Sequence, residues 1–172
     1  MQGRPESREA VAYYFKYIDR VPDGDICATL ETQGDETLAL LRSISEERSR
    51  HRYAPDKWSV AEVVSHINDT ERLFAFRAFW FARGSDLPLP SVDPEVAATH
   101  ARAADRPWST HVDEFAALRA STLALFRNLP AEAWMREGIA SDNLFTVRAI
   151  AWLLAGHVIH HATILRERYL VE

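Results

Sequence analysis

Four stretches of this 172-residue chain repeat apolar residues with the 3.6-residue period of an α-helix, and the helix breakers fall between them. The first covers residues 25–47 and sets Ile26, Leu30, Thr37, Leu41 and Ile44 on one side. The second opens at DKWSVAEVV, where Ser59 and Glu62 have the spacing of a capping box, and runs to Arg83, with Gly84 supplying a left-handed stop. The third spans residues 109–129, with Phe115, Leu118, Thr122, Leu125, Phe126 and Leu129 as its stripe. The fourth follows Thr146, which can cap it, and reaches Arg168. Each such helix can bury its stripe only against the others, so the pattern predicts an all-α four-helix bundle. No segment alternates strictly with the two-residue period of a half-buried strand, and no strand is expected.

Shorter pieces fill the gaps. YYFKYI, residues 13–18, reads as an extra helix within an N-terminal extension covering residues 1–24, and VPDG then turns the chain. GSDLPLPSVDP is a loop with three prolines, leading to a short helix from Pro94 capped by Asp93. Pro130 starts another short turn, AEAWMRE. There is no internal repeat or low-complexity tract, and a single domain over residues 1–172 is the expectation.

Charge and cysteine usage narrow the functional classes. Twenty basic against 25 acidic residues leave a net charge of -5, which does not supply the broad positive face needed to neutralise many phosphates, so no nucleic-acid partner is expected. No apolar run approaches the ~20 residues of a membrane span, and the N-terminal sequence lacks the apolar centre of an export signal. No membrane partner is expected, and a cytoplasmic location is the simplest reading. The single cysteine, Cys27, permits neither an internal disulfide nor a cysteine-based zinc site.

The fourth segment contains AGHVIHHATIL, three histidines in an apolar run. At 100° per residue, His157 and His161 straddle the centre of the apolar arc formed with Ile150, Leu153, Leu154 and Ile164, while His160 lies at its edge. Two imidazoles at i and i+4 share one face and can reach one ion. The alternative is a pair of neutral histidines, each hydrogen-bonded to its own buried partner; an unsatisfied group costs about 1–3 kcal/mol. Spacing leaves both readings open, because H-x3-H is common by chance. The HEXXH pattern is absent, since Val158 follows His157. A third ligand must come from another helix. His51 and His100 lie in polar or linking sequence and His111 in the first turn of the third segment. His66 alone is mid-helix beside apolar residues, within the arc of Val63, Thr70 and Leu73 but off its centre, so a solvent-facing role is equally open to it.

Two stretches carry a family resemblance: DKWSVAEVVSHINDTERLFAFRAFWFARGSDLPLP, with tryptophan just before the helix cap and histidine seven residues after it, and TVRAIAWLLAGHVIHHATILRERYL. The chain resembles the DinB-like (YfiT-like) helical bundle family from about Ile26 to Leu170. The resemblance implies an up-down-down-up bundle holding a divalent metal through His66, His157 and His161. It also implies enzymatic chemistry on a small molecule, because better understood relatives include transferases that join low-molecular-weight thiols to electrophiles and a thiol-dependent isomerase.

The expected activity is therefore a metal-dependent, thiol-dependent S-transferase, with a metal-dependent hydrolase and a non-catalytic metal- or ligand-binding stress protein as alternatives. The expected cofactor is a divalent transition metal (zinc, nickel, cobalt or iron), with a low-molecular-weight thiol as co-substrate. Asp69, or less readily Glu62, can orient His66, although Asp69 can equally pair with Arg72. Arg77 and RERY near the C-terminus can meet an anionic substrate at a bundle mouth. No proton-transfer residue is identifiable. Family members also resemble homodimers. Trp152 and Ile159 put apolar bulk on the face opposite the histidines, where either a second copy or the N-terminal aromatic segment can cover it.

Overall fold

The computed structural model describes residues 3–171. Helices α1 (Ala12–Ile18), α2 (Ile26–Arg42), α3 (Glu46–Ser49), α4 (Val60–Ala82), α5 (Pro94–Ala101), α6 (Trp108–Arg127) and α7 (Val147–Ile164) make up most of the chain. Three of the four long helices start where the sequence provides caps, while α6 follows Pro107 and has its first amide, that of Trp108, met by Glu46. Asp25 accepts from the Ala28 amide, Thr146 from that of Ala149, and Ser59 and Glu62 form both bonds of the capping box. Asp93 caps α5 on the amides of Glu95 and Val96. Helix α4 closes at Arg83, and Gly84 takes φ +78°.

Helices α2, α4, α6 and α7 form the bundle, with α4 packed on α6 and α7, and α2 on the same two. Cross-helix bonds give the directions. Asn68 meets the His111 carbonyl and Glu71 meets Arg119, so α4 and α6 run parallel. Trp108 meets the Leu41 carbonyl and Arg127 meets Glu31, so α2 and α6 are antiparallel. His66 lies against His157, whereas Arg77 reaches Ser141 ahead of α7, so α4 and α7 are antiparallel. This is the up-down-down-up arrangement, made possible by the long crossover of residues 83–107 that contains α5.

Three departures from the sequence reading have local causes. The 25–47 segment is two helices: α2 stops at Ser43, and Ser45 caps α3 by accepting from the Arg48 amide. The fourth helix keeps α-helical bonding only to Ile164 and widens into a π-helical turn, Leu165–Tyr169. A β-hairpin is present where none was expected: β1 (Glu137–Ala140) pairs antiparallel with β2 (Asn143–Thr146). Its turn residues Ser141 and Asp142 both have positive φ, 52° and 58°, the mirror-type turn that matches strand twist. Leu89 in the crossover adds to the β1 edge through bonds with Ile139 and Ser141. Gly138 is required here, because a Cβ would lie 2.2 Å from the Phe81 ring.

The apolar back of α7 is covered from within. Trp152 is fully buried, the Arg4 guanidinium lies 5.0 Å over its ring, and α1 packs along the helix. Gly156 makes this contact possible: a Cβ there would sit 2.0 Å from the Tyr17 carbonyl oxygen. The N-terminal segment is thus the cover over Trp152, whereas Ile159 is only partly buried and borders a groove with Pro22, Ala28 and Thr32. No helix of the described residues is long and apolar enough to cross a membrane.

Candidate metal centre

Antiparallel packing of α4 on α7 brings His66 opposite the turn that carries His157 and His161. The His66 and His161 Nε2 atoms each lie 3.1 Å from His157 Nε2, and the three donor atoms fall within 4.8 Å of one another. His157 is 4% exposed, and the other two are half-buried. His66 thus takes the inward position that its helical wheel left open. His160 points its ring toward Tyr17 and stays outside the donor group. His111 is buried but committed, with Nε2 bonded to the Ala103 carbonyl at 3.0 Å. His51 packs on Tyr169, and His100 is exposed.

Three imidazole nitrogens facing one another cannot satisfy themselves. A neutral ring offers one N–H and one lone pair, so one N–H···N bond pairs two rings and leaves the third facing a like group. Protonation is no remedy. Burial, with the other histidines adding to it, pushes His66 down to about 4, His161 down to about 3 and His157 well below its ordinary value. The rings are therefore neutral at neutral pH, each with one lone pair to offer a ligand. Metal–nitrogen bonds of about 2.0–2.1 Å at tetrahedral angles separate adjacent nitrogens by about 3.3 Å, close to what is found between His157 and each neighbour. The donor set fits a divalent transition ion.

Aromatic rings hold the histidines in place. Trp58, just ahead of the α4 cap, packs its ring 5.1 Å from that of His66. Its carbonyl accepts the Tyr169 hydroxyl at 2.7 Å, so the π-helical turn after α7 is tied to the base of α4. Tyr17 of α1 packs edge-on against both His157 and His160 at 5.4 Å. Trp58 stood out in the sequence by its position, but nothing in the sequence linked Tyr17 or Tyr169 to the histidines. Both depend on contacts between segments far apart in the chain.

The expected helpers are committed to other partners. Asp69 pairs with Arg72 at 3.2 Å, and Glu62 is taken by the Ser59 cap and by Arg52, so neither is hydrogen-bonded to His66. Arg77 is buried away from any mouth and donates to the Pro90 carbonyl and the Ser141 hydroxyl. The carboxyl-terminal RERY forms the π-helical turn, with Arg168 over the Tyr53 ring. Two cavities reach the cluster. One of about 480 Å³ has His66 in its wall, and one of about 280 Å³ has His161.

An up-down-down-up bundle with three histidines converging from its second and fourth long helices defines a narrow class of protein. The sequence profile of the DinB superfamily matches residues 29–165, and the chain belongs to that family. No curated protein matches it. Among solved structures it is similar to YfiT from Bacillus subtilis, described as a probable metal-dependent hydrolase with an unusual four-helix bundle topology. The TM-score is 0.66 at 16% identity, over 94% of this chain and 91% of the other. It is also similar to a mycothiol-dependent maleylpyruvate isomerase, with a TM-score of 0.67 at 14% identity, over 80% of this chain and 58% of that one. At these identities the likeness is one of fold.

Proposed function

We propose that the protein is a metal-dependent enzyme acting on a small molecule, with His66, His157 and His161 holding a divalent transition ion. The observation that carries this reading is the convergence of three neutral imidazoles, with no fourth histidine, cysteine or carboxylate donor among the described residues, beside cavities large enough for a substrate. A closed structural site has four protein ligands, whereas three with an open approach is the catalytic pattern. An all-nitrogen donor set suits zinc, nickel, cobalt or iron. When bound, such an ion supplies Lewis acidity that favours the deprotonated form of a thiol or water and polarises a carbonyl. The chain's own part is to hold the imidazoles neutral and oriented through burial, Trp58 and Tyr17.

The reaction favoured is thiol-dependent S-transfer, with a low-molecular-weight thiol as co-substrate; hydrolysis is the second reading, supported by the description of the YfiT neighbour. Cys27 lies on α2 and takes no part in the donor group, so the thiol has to come from outside the chain. The test begins with metal analysis of the protein purified without chelator and reconstituted with each candidate ion. One ion per chain, lost in His157→Ala, is expected; equal substoichiometric metal in both proteins would overturn the site. A panel of electrophiles assayed with and without bacterial thiols then separates the reactions. Turnover that consumes the thiol one for one marks a transferase, turnover that needs the thiol without consuming it an isomerase, and turnover without it a hydrolase.

A further inference from the structure

The larger cavity lies between α4 and the crossover. Leu73 and Phe76 form one side, and Val92, Pro94, Ala97 and Ala98 the other, with His66 also in its wall. Its volume of about 480 Å³ is in the range of small-molecule sites. Phe76 and Val92 are each 48% exposed, so the pocket holds apolar surface that an occupant would take out of water.

The charges at its rim are already spent. Arg72, the cationic residue of the wall, pairs with Asp69 at 3.2 Å and with Glu114 at 2.8 Å, and Glu114 also pairs with Arg106 at 2.9 Å. Two carboxylates and two guanidiniums balance, so among the described residues lining this cavity no Lys or Arg is left unpaired to receive an acidic substrate. The opening on the His161 side differs: Tyr53, Asp56, Lys57, Glu95 and Tyr169 give it a polar lining in a smaller volume. The far wall of the apolar pocket is also anchored. Leu89 is bonded to the hairpin and Arg77 holds the Pro90 carbonyl, so the segment leading to Val92 is fixed to the bundle.

We infer that the α4–α5 cavity binds the body of an uncharged, apolar substrate and presents its reactive end to the histidine cluster past His66. The inference rests on the reading of that cluster as a metal centre, and two measurements keep the two apart.

The first uses metal-free protein and N-phenyl-1-naphthylamine, an uncharged apolar fluorophore. Saturable binding of one dye per chain is expected, weakened about tenfold or more by Ala97→Trp, which fills the pocket, and by Val92→Asp, which puts a charge in its wall. Leu118→Gln, in the neighbouring groove between Phe76 and α6, should leave it unchanged. Dye binding equal in the wild type and both pocket variants, each shown to be folded by circular dichroism, would overturn the pocket. So would tighter binding of the anionic analogue 1-anilinonaphthalene-8-sulfonate.

The second titrates cobalt-loaded protein with imidazole and with 4-phenylimidazole, followed by the visible spectrum of the ion. The phenyl ring should tighten binding about tenfold in the wild type, and Ala97→Trp should remove that gain without altering imidazole binding. No gain from the ring, or a gain that persists in Ala97→Trp, overturns the link between pocket and cluster. Failure of cobalt to bind overturns the metal reading instead, and the dye then decides the pocket alone.

Discussion

Two of the polar clusters within the bundle are built on opposite terms. In one, the Arg119 guanidinium on α6 makes a two-bond pair with the Glu71 carboxylate on α4, at 2.9 and 3.1 Å. Its remaining donor serves the Leu30 carbonyl and the Gln33 side-chain oxygen on α2, and the Gln33 amide donates to the Ala155 carbonyl on α7. Four helices are joined, and the charged pair is matched by hydrogen bonds from the chain itself. In the other cluster, which begins two residues beyond Ala155 at His157, three imidazole nitrogens converge within 4.8 Å of one another, and no carboxylate or thiol of the described residues joins them. A buried polar group is tolerated when its partners are present, so a self-sufficient cluster points to architecture and an insufficient one to a ligand.

The contrast breaks most readily at Glu71. Glu71→Ala strands a buried guanidinium and should cost about 3–5 kcal/mol in urea unfolding, while the double replacement Glu71→Leu with Arg119→Met should recover most of that loss. In metal-free protein, His157→Leu should change stability by less than about 1 kcal/mol or raise it, because no satisfied partner is lost. A large cost for His157→Leu without metal would show that the histidines form a finished structural network. Metal sharpens the same comparison from the other side. At a hundred times its Kd, the ion should stabilise the wild type by about 2.7 kcal/mol and His157→Leu not at all, read as a shift in the thermal midpoint.

The two clusters also differed in how visible they were from the sequence. His157 and His161 lie one turn apart on one helix, so a helical wheel selects them without knowledge of the rest of the fold. Their partner His66 is off the centre of its own stripe and becomes an inward residue only when α4 packs on α7; the family resemblance named it, and helical period alone left it open. Arg119 and Glu71 gave no signal, since charged residues on amphipathic helices usually face water and their pairing needs two parallel helices in register. The four long helices were readable from period, and three of them from caps as well. The hairpin was not, because each strand has four residues, its turn lacks the usual Asn-Gly or Asp-Gly pair, and its pairing with Leu89 joins segments about fifty residues apart.

Gly156 sits between the clusters, one residue from the Ala155 carbonyl that ends the first and one from the His157 ring that begins the second. A methyl group there meets the Tyr17 carbonyl, so Gly156→Ala should move α1 off α7 and cost about 1–3 kcal/mol. Since Tyr17 packs on His157, metal affinity should fall as well. The cost should add to that of Glu71→Ala in a double-mutant cycle if the Arg119 network is independent of α1. Coupling between them would mean that the two clusters share one mechanical unit.

The smallest effect concerns a third polar group, at the rim of α7, that also has its partners. Glu9 accepts from the Thr146 hydroxyl at 2.8 Å and from Arg148, closing the N-terminal segment onto the start of the helix. Burial alone would raise this carboxyl, but hydrogen bonds from Arg148, the Glu6 amide and Thr146 outweigh it and hold the folded pKa below the ordinary 4.5. The unfolded chain therefore takes up its proton first as pH falls. The stabilisation is complete above the unfolded value and disappears as pH drops through the lower, folded one. Urea midpoints between pH 6 and pH 3 should fall less steeply for Glu9→Gln than for the wild type. Other carboxylates held low, such as Glu62 and Glu114, contribute to both slopes, and the difference between the two proteins isolates Glu9. Equal slopes would mean that Arg148 gives this carboxylate no preference for the charged form, and the group would then belong with the incomplete cluster.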